Sequence, residues 1–281
     1  MISKKLVILI PVYKTISDLE YLEKLSIRNT LDKFGDLYQI GLLKSDKVNF
    51  ASYVDFFNFQ FLNIEFNFST WVEYNALLKS NKLYQEISDF DYLLIVQTDA
   101  YVFSNSIDDF YEYDYIGAPW VRDPIKNIKG CVGNGGLSLR NIQKIKSILN
   151  SETKLFAFTT LLYMNSKHFF KFGKIKRYNG IKKFTLQQYF FIFIKSLYQY
   201  LFLNSFRNAN KFDSLLEDVF YGVLVASKFE NFIVPDFSRA QKFSFDENPQ
   251  YFFQLNNHEL PLGCHGFIKN YSQFWNKYIR E

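Results

Sequence analysis

Four stretches of this 281-residue chain carry side chains suited to group-transfer chemistry. In Gln97-Thr98-Asp99-Ala100-Tyr101 the strongly apolar run Tyr92 to Gln97 leads straight into Thr98-Asp99. A carboxylate at such a strand end can meet a Mg2+ or Mn2+ ion and a phosphate together. The plainer use of an aspartate there is to cap a turn. In Val132-Gly133-Asn134-Gly135-Gly136-Leu137-Ser138-Leu139-Arg140, three glycines in four residues let backbone approach a ligand closely or take positive φ. A helix following them would offer its N-terminal amides to an anion or a sugar hydroxyl. Alternatively the cluster is a tight loop with Ser138 as helix cap. It is not a Walker loop, because no Gly-Lys-Ser/Thr occurs, nor a dinucleotide fingerprint, because no buried strand precedes it.

The third stretch is Leu216-Glu217-Asp218-Val219-Phe220-Tyr221-Gly222. Two adjacent carboxylates at a helix start sit in the positive end of the helix dipole, which favours their ionised form and suits a general base. Acids in a first turn also serve simply to complement that dipole. The fourth is Pro261-Leu262-Gly263-Cys264-His265-Gly266-Phe267, whose histidine, one of three in the chain, is either a metal ligand or an ordinary core or surface residue. His168 and His258 have no comparable setting. Cys131 and Cys264 lack the neighbours that thiol catalysis needs and read as small buried residues. Two thiols make no disulfide framework and suit a reducing compartment.

These residues need elements to hold them. Leu6 to Ile10 reads as a buried parallel strand closed by Pro11-Val12-Tyr13. Ser17-Asp18-Leu19-Glu20 has capping-box spacing and opens a helix carrying Leu22, Leu25 and Ile27. Tyr38 to Leu43 and Phe61 to Phe66 read as strands; Thr70-Trp71-Val72-Glu73 is a second capping box, starting a helix to about Tyr84. Further on, the spacing predicts strands at Tyr113 to Ile116 and Phe232 to Val234. It predicts helices at about Leu139 to Leu149, from Leu215 or Leu216 to about Lys228, and from Phe267 onward. Alternating strands and helices place the chain in the α/β class, with a mostly parallel central sheet flanked by helices. Ligands of such sheets bind at the carboxyl ends of the strands, here Pro11 to Tyr13 and Thr98 to Tyr101.

Composition separates the chain into two parts. With 48% apolar residues it can build a sizeable core, which excludes a disordered chain and a disulfide scaffold. A net charge of +5 is too mild to imply nucleic acid as a partner. Yet Thr153 to Phe212 contains 11 bases and no acid, leaving the remainder with 22 bases and 28 acids. The same block holds 17 of the 56 aromatic residues. Of the 76 residues between Arg140 and Glu217, 60 belong to it, and the other 16 suffice for one helix and a turn. It therefore reads as a helical insertion, 153–212, in a domain made of 1–152 and 213–281. Within it Leu186, Phe190, Phe193, Ile194, Leu197 and Leu201 recur at helical spacing behind the lysines from Lys171 to Lys183. That pattern suits the interface of an anionic membrane, and equally a helical lid packed on the core. No stretch is long and apolar enough for a membrane span, and the five-residue run before Pro11 is too short for a signal peptide, so the chain reads as cytoplasmic, with peripheral attachment to the inner membrane in view.

The order of the motifs resembles the GT-A fold of nucleotide-sugar glycosyltransferases. In particular PVYK, DYIGAPW, GNGGLSLR, EDV and a late G-x-H are similar to the marks of a bacterial glycosyltransferase-like family that carries only a domain-of-unknown-function label. The resemblance covers most of the chain outside 153–212. It implies a Rossmann-like sheet with a nucleotide-binding half over 1–103 and transfer of a sugar from a donor such as a UDP-sugar to a glycan or lipid-linked acceptor in bacterial surface polysaccharide synthesis. It further implies that Asp99 and His265 hold Mn2+ or Mg2+, without an organic cofactor, although Gln97 stands where the first aspartate of the DxD motif is expected. Pro11, Val12 and Tyr13, with Gln97, Thr98, Asp99, Gly135 and Gly136, fall where the donor binds. Trp120 and Asn134 fall where the acceptor binds, and Asp218 falls where inverting members place their base, with Glu217 orienting the acceptor or serving the helix terminus. Retention stays open beside inversion. A sugar nucleotidyl- or phosphotransferase, and a non-catalytic glycan-binding or scaffold protein on a degenerate fold, are the other readings of the same residues.

Overall fold

The computed structural model describes residues 4–66, 68–123, 128–172, 177–178, 181–182, 185–269 and 272–279. The near-continuous apolar runs of the N-terminal half form β1 (Leu6–Val12), β2 (Gln39–Lys44), β3 (Leu62–Glu65) and β4 (Tyr92–Val96). Between them lie α1 (Tyr21–Phe34), α2 (Phe50–Phe57), α3 (Trp71–Leu78) and α4 (Asn81–Glu86). After β4 come β5 (Ala100–Val102), β6 (Tyr115–Ile116), the hairpin pair β7 (Pro119–Asp123) and β8 (Ile128–Val132), then β9 (Leu137–Asn141) and α5 (Ile142–Leu149). The main sheet has the order β3-β2-β1-β4-β9-β6, parallel from β3 to β4 and antiparallel at β4/β9 and β9/β6.

Successive residues of a strand point to opposite faces, and both faces here are covered. Val7, Leu9, Leu93 and Ile95 join one buried cluster with α3, α4 and α5; Leu6, Ile8, Ile10, Leu94 and Val96 join another with α1 and α2. Each Leu, Ile or Val buried in this way contributes about 1.5–3 kcal/mol. That is why the sheet's central strands are apolar along their whole length.

The second half adds α6 (Phe158–Phe172), a two-residue ladder of β10 (Arg177–Tyr178) and β11 (Ile181–Lys182), and α7 (Leu186–Tyr198). A broken helix follows, from α8 (Glu217–Val219) through a π-helical turn, Phe220–Val225, to α9 (Ala226–Lys228). Then come α10 (Phe237–Phe243), β12 (Ser244–Phe245), α11 (Pro249–Leu255), β13 (Gly263–His265) and α12 (Ser272–Trp275). A small sheet of order β12-β13-β5 joins this C-terminal part to the segment directly after β4.

Several expectations need correction. The first helix opens at Tyr21, not within Ser17–Glu20; Glu20 and Glu23 form its reciprocal cap, because Ser17 and Asp18 are engaged with Thr15 in a preceding turn. The Thr70/Glu73 box is present, but its helix stops at Leu78 and a second begins after Ser80. α2 had no counterpart in the sequence reading. No helix follows the glycine cluster directly: Leu137 to Asn141 is a strand, and Asn141 caps α5 at Lys144. Phe232 to Val234 is not a strand; Asp114 N–H donates to the Ile233 carbonyl instead.

Residues 153–212 are rooted in the main core. Leu155, Leu161, Phe206, Ala209 and Phe212 belong to the same buried cluster as β1 and β4. The Phe206 and Arg207 amides donate to the carbonyls of Thr153 and Ser151. The lysines at 174, 176 and 183 lie outside the described residues, as do the side chains of Lys171, Lys182 and Cys131. Cys264 is buried, as expected of a small core residue.

Candidate functional site

Three pairings bring the site together. β4 pairs with β9 so that Val96 faces Leu137, and the Gln97 amide donates to the Gly136 carbonyl at 2.8 Å. The glycine cluster is thereby fixed beside the strand end. β5 pairs with β13 so that Ala100 faces His265, setting the imidazole next to Asp99 across 166 residues of sequence. The third junction ties α3 to the start of α8. Asn75 accepts from the Glu217 amide at 2.7 Å and donates to the Leu215 carbonyl at 3.1 Å, while Lys79 donates to the carbonyls of Phe212 and Leu215. Burial brings the Lys79 amine down to about 8, opposed by the charges of Glu217 and Asp213.

The result is a cleft of about 130 Å3 beyond the carboxyl end of β4, lined by Trp71, Tyr74, Asn75, Gln97, Asn134, Gly135, Gly136, Leu216, Glu217, Asp218 and His265. Neighbouring side chains already leave no room for a Cβ at either glycine. A Cβ on Gly135 would lie 1.4 Å from Glu217 Oε1, and one on Gly136 would lie 2.1 Å from His265 Cδ2. Asn134 takes positive φ (63°) and its Oδ1 accepts from the Gly136 amide at 3.0 Å, which shapes the loop around the imidazole.

His265 is the hub of the cleft floor. Its Nε2 is 3.2 Å from Asp99 Oδ1 and 3.1 Å from Gln97 Oε1; its Nδ1 is 3.2 Å from Asp246 Oδ1 and 3.1 Å from Asn134 Nδ2. Burial works against a charged imidazole, but hydrogen bonds to Asp246 and Asp99 outweigh it and push the ring up to about 9. In return His265 holds the Asp99 carboxyl below its ordinary value, against the opposite pull of burial.

Glu217 sits deeper. Its Oε2 accepts from Arg140 at 2.8 Å, and Arg140 is itself fully buried, donating to Ser138 and Tyr84 hydroxyls and lying over the Tyr115 and Tyr221 rings. Burial pushes the Glu217 carboxyl up to about 7, and Arg140 opposes that rise. Asp218 is half-buried and differently bound: one oxygen accepts from the Val219 amide at 2.7 Å. Burial raises its carboxyl as well, aided by the charge of Asp246.

The structure thus brings together Gln97, Asn134, Gly135, Gly136, Glu217, Asp218 and His265, with Asp99 against the imidazole. Tyr13 stands beside Tyr74 at the rim, their ring centroids 5.6 Å apart. Four expected residues fall elsewhere. The Thr98 hydroxyl turns to Glu23 on α1 at 3.2 Å. Pro11 and Val12 are buried at the end of β1. Trp120 lies across Gly133, where a Cβ would be 2.1 Å from its ring, and is not part of the cleft wall. Sequence reasoning missed Asp246, Arg140, Tyr74 and Asn75. The Tyr74 hydroxyl is buried without a hydrogen-bond partner of ordinary geometry, an orphan polar atom in the cleft wall.

For a divalent ion, Asp99 Oδ1, His265 Nε2 and Gln97 Oε1 are of the right chemical type, and both oxygens lie within hydrogen-bond distance of the ring nitrogen. Asp246 faces the other ring nitrogen. Accordingly no group of three His, Cys, Asp or Glu ligands forms among the described residues.

Fold and site define an α/β domain with a polar cleft beyond the carboxyl ends of its parallel strands. The chain belongs to the family described as protein of unknown function (DUF5672), which matches residues 56–265, a span containing every residue that lines the cleft. A search of curated proteins returned no match. Among solved structures the chain is similar to the galactosyltransferase LgtC in complex with donor and acceptor sugar analogs, at 12% identity over 92% of this chain and 86% of that one, with a TM-score of 0.41. It is likewise similar to the apo glycosyltransferase GlyE of Streptococcus pneumoniae TIGR4, at 12% identity, 94% and 54% coverage and a TM-score of 0.41, so it spans about half of GlyE's length. Mouse xyloside xylosyltransferase 1 in its apo form matches at 10% identity, 94% and 97% coverage and a TM-score of 0.41.

Proposed function

We propose that this protein transfers a sugar from a nucleotide-sugar donor, of the UDP type, to a hydroxyl of a glycan or lipid-linked acceptor in bacterial surface polysaccharide synthesis, with inversion at the anomeric carbon. The observation that carries this reading is the convergence in one cleft of residues from Gln97 to His265 that the sequence resemblance assigns to sugar transfer. Asp218 is the base: it has an oxygen not engaged by the Val219 amide, and burial raises its proton affinity toward the working range of a general base. Glu217 is held by Arg140, so it positions the turn that carries Asp218. The orphan Tyr74 hydroxyl and the Gln97 amide face the donor as hydrogen-bonding groups. Asp99 and His265, helped by Gln97, would hold Mn2+ or Mg2+, which when bound supplies Lewis-acid neutralisation of the diphosphate leaving group. To serve as a ligand, His265 must release the proton that Asp99 and Asp246 retain on it.

The test is release of nucleoside diphosphate from a panel of nucleotide sugars. Asp218→Asn should lower turnover ~10²–10⁴-fold with the fold intact. Near-wild-type turnover by that variant would remove Asp218 from the mechanism, and release of pyrophosphate would reassign the reaction to nucleotidyl transfer. A second reading, a non-catalytic glycan-binding protein, draws support from Gln97 in the place of an acid and from His265 held as a cation by two carboxylates. Calorimetry with UDP and Mn2+ separates the two, because the scaffold reading expects no metal-dependent nucleotide binding.

A further inference from the structure

The apolar stripe of α7 faces the wrong way for a packed helix. Only Ile192 and Ser196 of this helix are buried. They form a narrow seam against α6, where Asn165 donates to the Ser196 hydroxyl at 2.9 Å and to Gln199 at 2.7 Å, and where Phe158 meets the edge of Phe193. The stripe itself points outward: Leu186 is 86% and Phe190 67% exposed, with Phe193 and Ile194 also exposed, and Leu201 and Phe202 continue the surface past the helix end. Single exposed hydrophobes are ordinary, but a contiguous aromatic and aliphatic surface of this kind marks an interaction face.

Charge selects the occupant. Residues 153–212 carry 11 bases and no acid, with Lys195 exposed on the helix itself. Pairing this face with that of a second copy would set two acid-free basic blocks against each other. A surface that is both apolar beneath and negatively charged on top satisfies the two features together. At 13 residues α7 is too short to cross a bilayer, and no described helix is long and apolar enough to do so. We propose that α7 lies in the plane of an anionic lipid surface, with Leu186, Phe190, Phe193 and Ile194 seated among the acyl chains and Lys195 at the phosphates. This inference is independent of the sugar-transfer reading.

Sedimentation with vesicles tests it, comparing phosphatidylcholine alone with phosphatidylcholine carrying about a third phosphatidylglycerol. The protein should bind the anionic vesicles at low salt, bind neutral ones weakly, and lose affinity as salt screens the charges. A Leu186→Ser/Phe190→Ser double variant alters only exposed positions, so its melting temperature should match wild type while its partitioning falls by roughly tenfold or more. Equal binding to both vesicle types overturns the anionic assignment. Absence of vesicle binding, or vesicle binding that the double variant leaves unchanged, overturns the face. A concentration-dependent dimer abolished by the same variant, without vesicle binding, assigns the face to a second copy instead.

Discussion

Replacing Arg140 by Met removes the guanidinium that donates to Glu217 and leaves Lys79 as a weaker opposing charge. Arg140 is fully buried and donates to Glu217 at 2.8 Å, Ser138 at 3.0 Å and Tyr84 at 3.1 Å. Methionine fills much of its volume, so the dominant effect is electrostatic: a buried carboxylate is left without its counter-ion. Breaking one side of a buried pair costs about 3–5 kcal/mol, which for a domain of this size lowers the melting temperature by roughly 10 °C. The loss should depend on pH in a defined direction. Burial already raises Glu217 to about 7 in the folded protein, and without Arg140 only the weaker pull of the Lys79 charge opposes a further rise. An acid whose folded pKa exceeds its unfolded one holds its proton more tightly when folded. Stability is therefore greatest below the ordinary carboxylate value and falls as pH climbs through the raised one. The variant's deficit should be largest near about pH 8 and shrink toward about pH 5. The Arg140→Met/Glu217→Gln double variant, in which the orphaned charge is gone, should recover more than half of the loss. Thermal unfolding followed by circular dichroism across that range measures all three quantities. A single variant within ~2 °C of wild type, or a deficit that neither low pH nor the second substitution reduces, would refute the idea that this ion pair holds the cleft together.

Other substitutions probe the remaining contacts. Gly136→Ala forces a methyl against His265 and should cost about 1–3 kcal/mol in thermal unfolding, as overpacking does; an unchanged melting temperature would show that the imidazole yields freely. Tyr74→Phe removes a hydroxyl that has no hydrogen-bond partner of ordinary geometry, so stability should stay within about 0.5 kcal/mol while nucleotide-sugar affinity, read by calorimetry, drops by roughly tenfold. Asp99→Asn should abolish the Mn2+-dependent part of UDP binding while leaving any metal-independent part measurable.

Periodicity made the framework legible before any coordinates. The runs at Leu6 to Ile10 and Tyr92 to Gln97 are apolar at every step because both faces of the sheet are covered, and Thr70 and Glu73 do cap a helix. The clustering of Gln97, Gly135, Gly136, Glu217, Asp218 and His265 was legible only as motif order. The roles of Asp246 and Arg140 escaped notice for a physical reason: they rest on contacts far along the chain, to His265 and to Glu217, and nothing in the local sequence requires those partners. The strand at Leu137 to Asn141 does alternate leucines with Ser138 and Arg140, but it runs without a break into α5 and so merged with that helix; both polar residues are buried in a network that compensates them. Helical spacing found the stripe of α7 but could not say whether it turned inward, since apolar residues three and four apart line one side of a helix whether that side meets the core or the solvent.

The pairing of Ala100 with His265 also bears on when the cleft comes into being. During synthesis the ribosome releases β4, the glycine loop and the carboxylate pair long before the strand that carries the imidazole. Until residue 265 has emerged, Asp99 has no cationic neighbour and Gly136 borders an empty space, so the nascent chain holds a sheet without a finished cleft. Completion is a late, single event in the life of each molecule. A chain stalled or cut before β13 should lack the contacts of Asp99 and Gly136 with the imidazole altogether, not hold a weakened form of them.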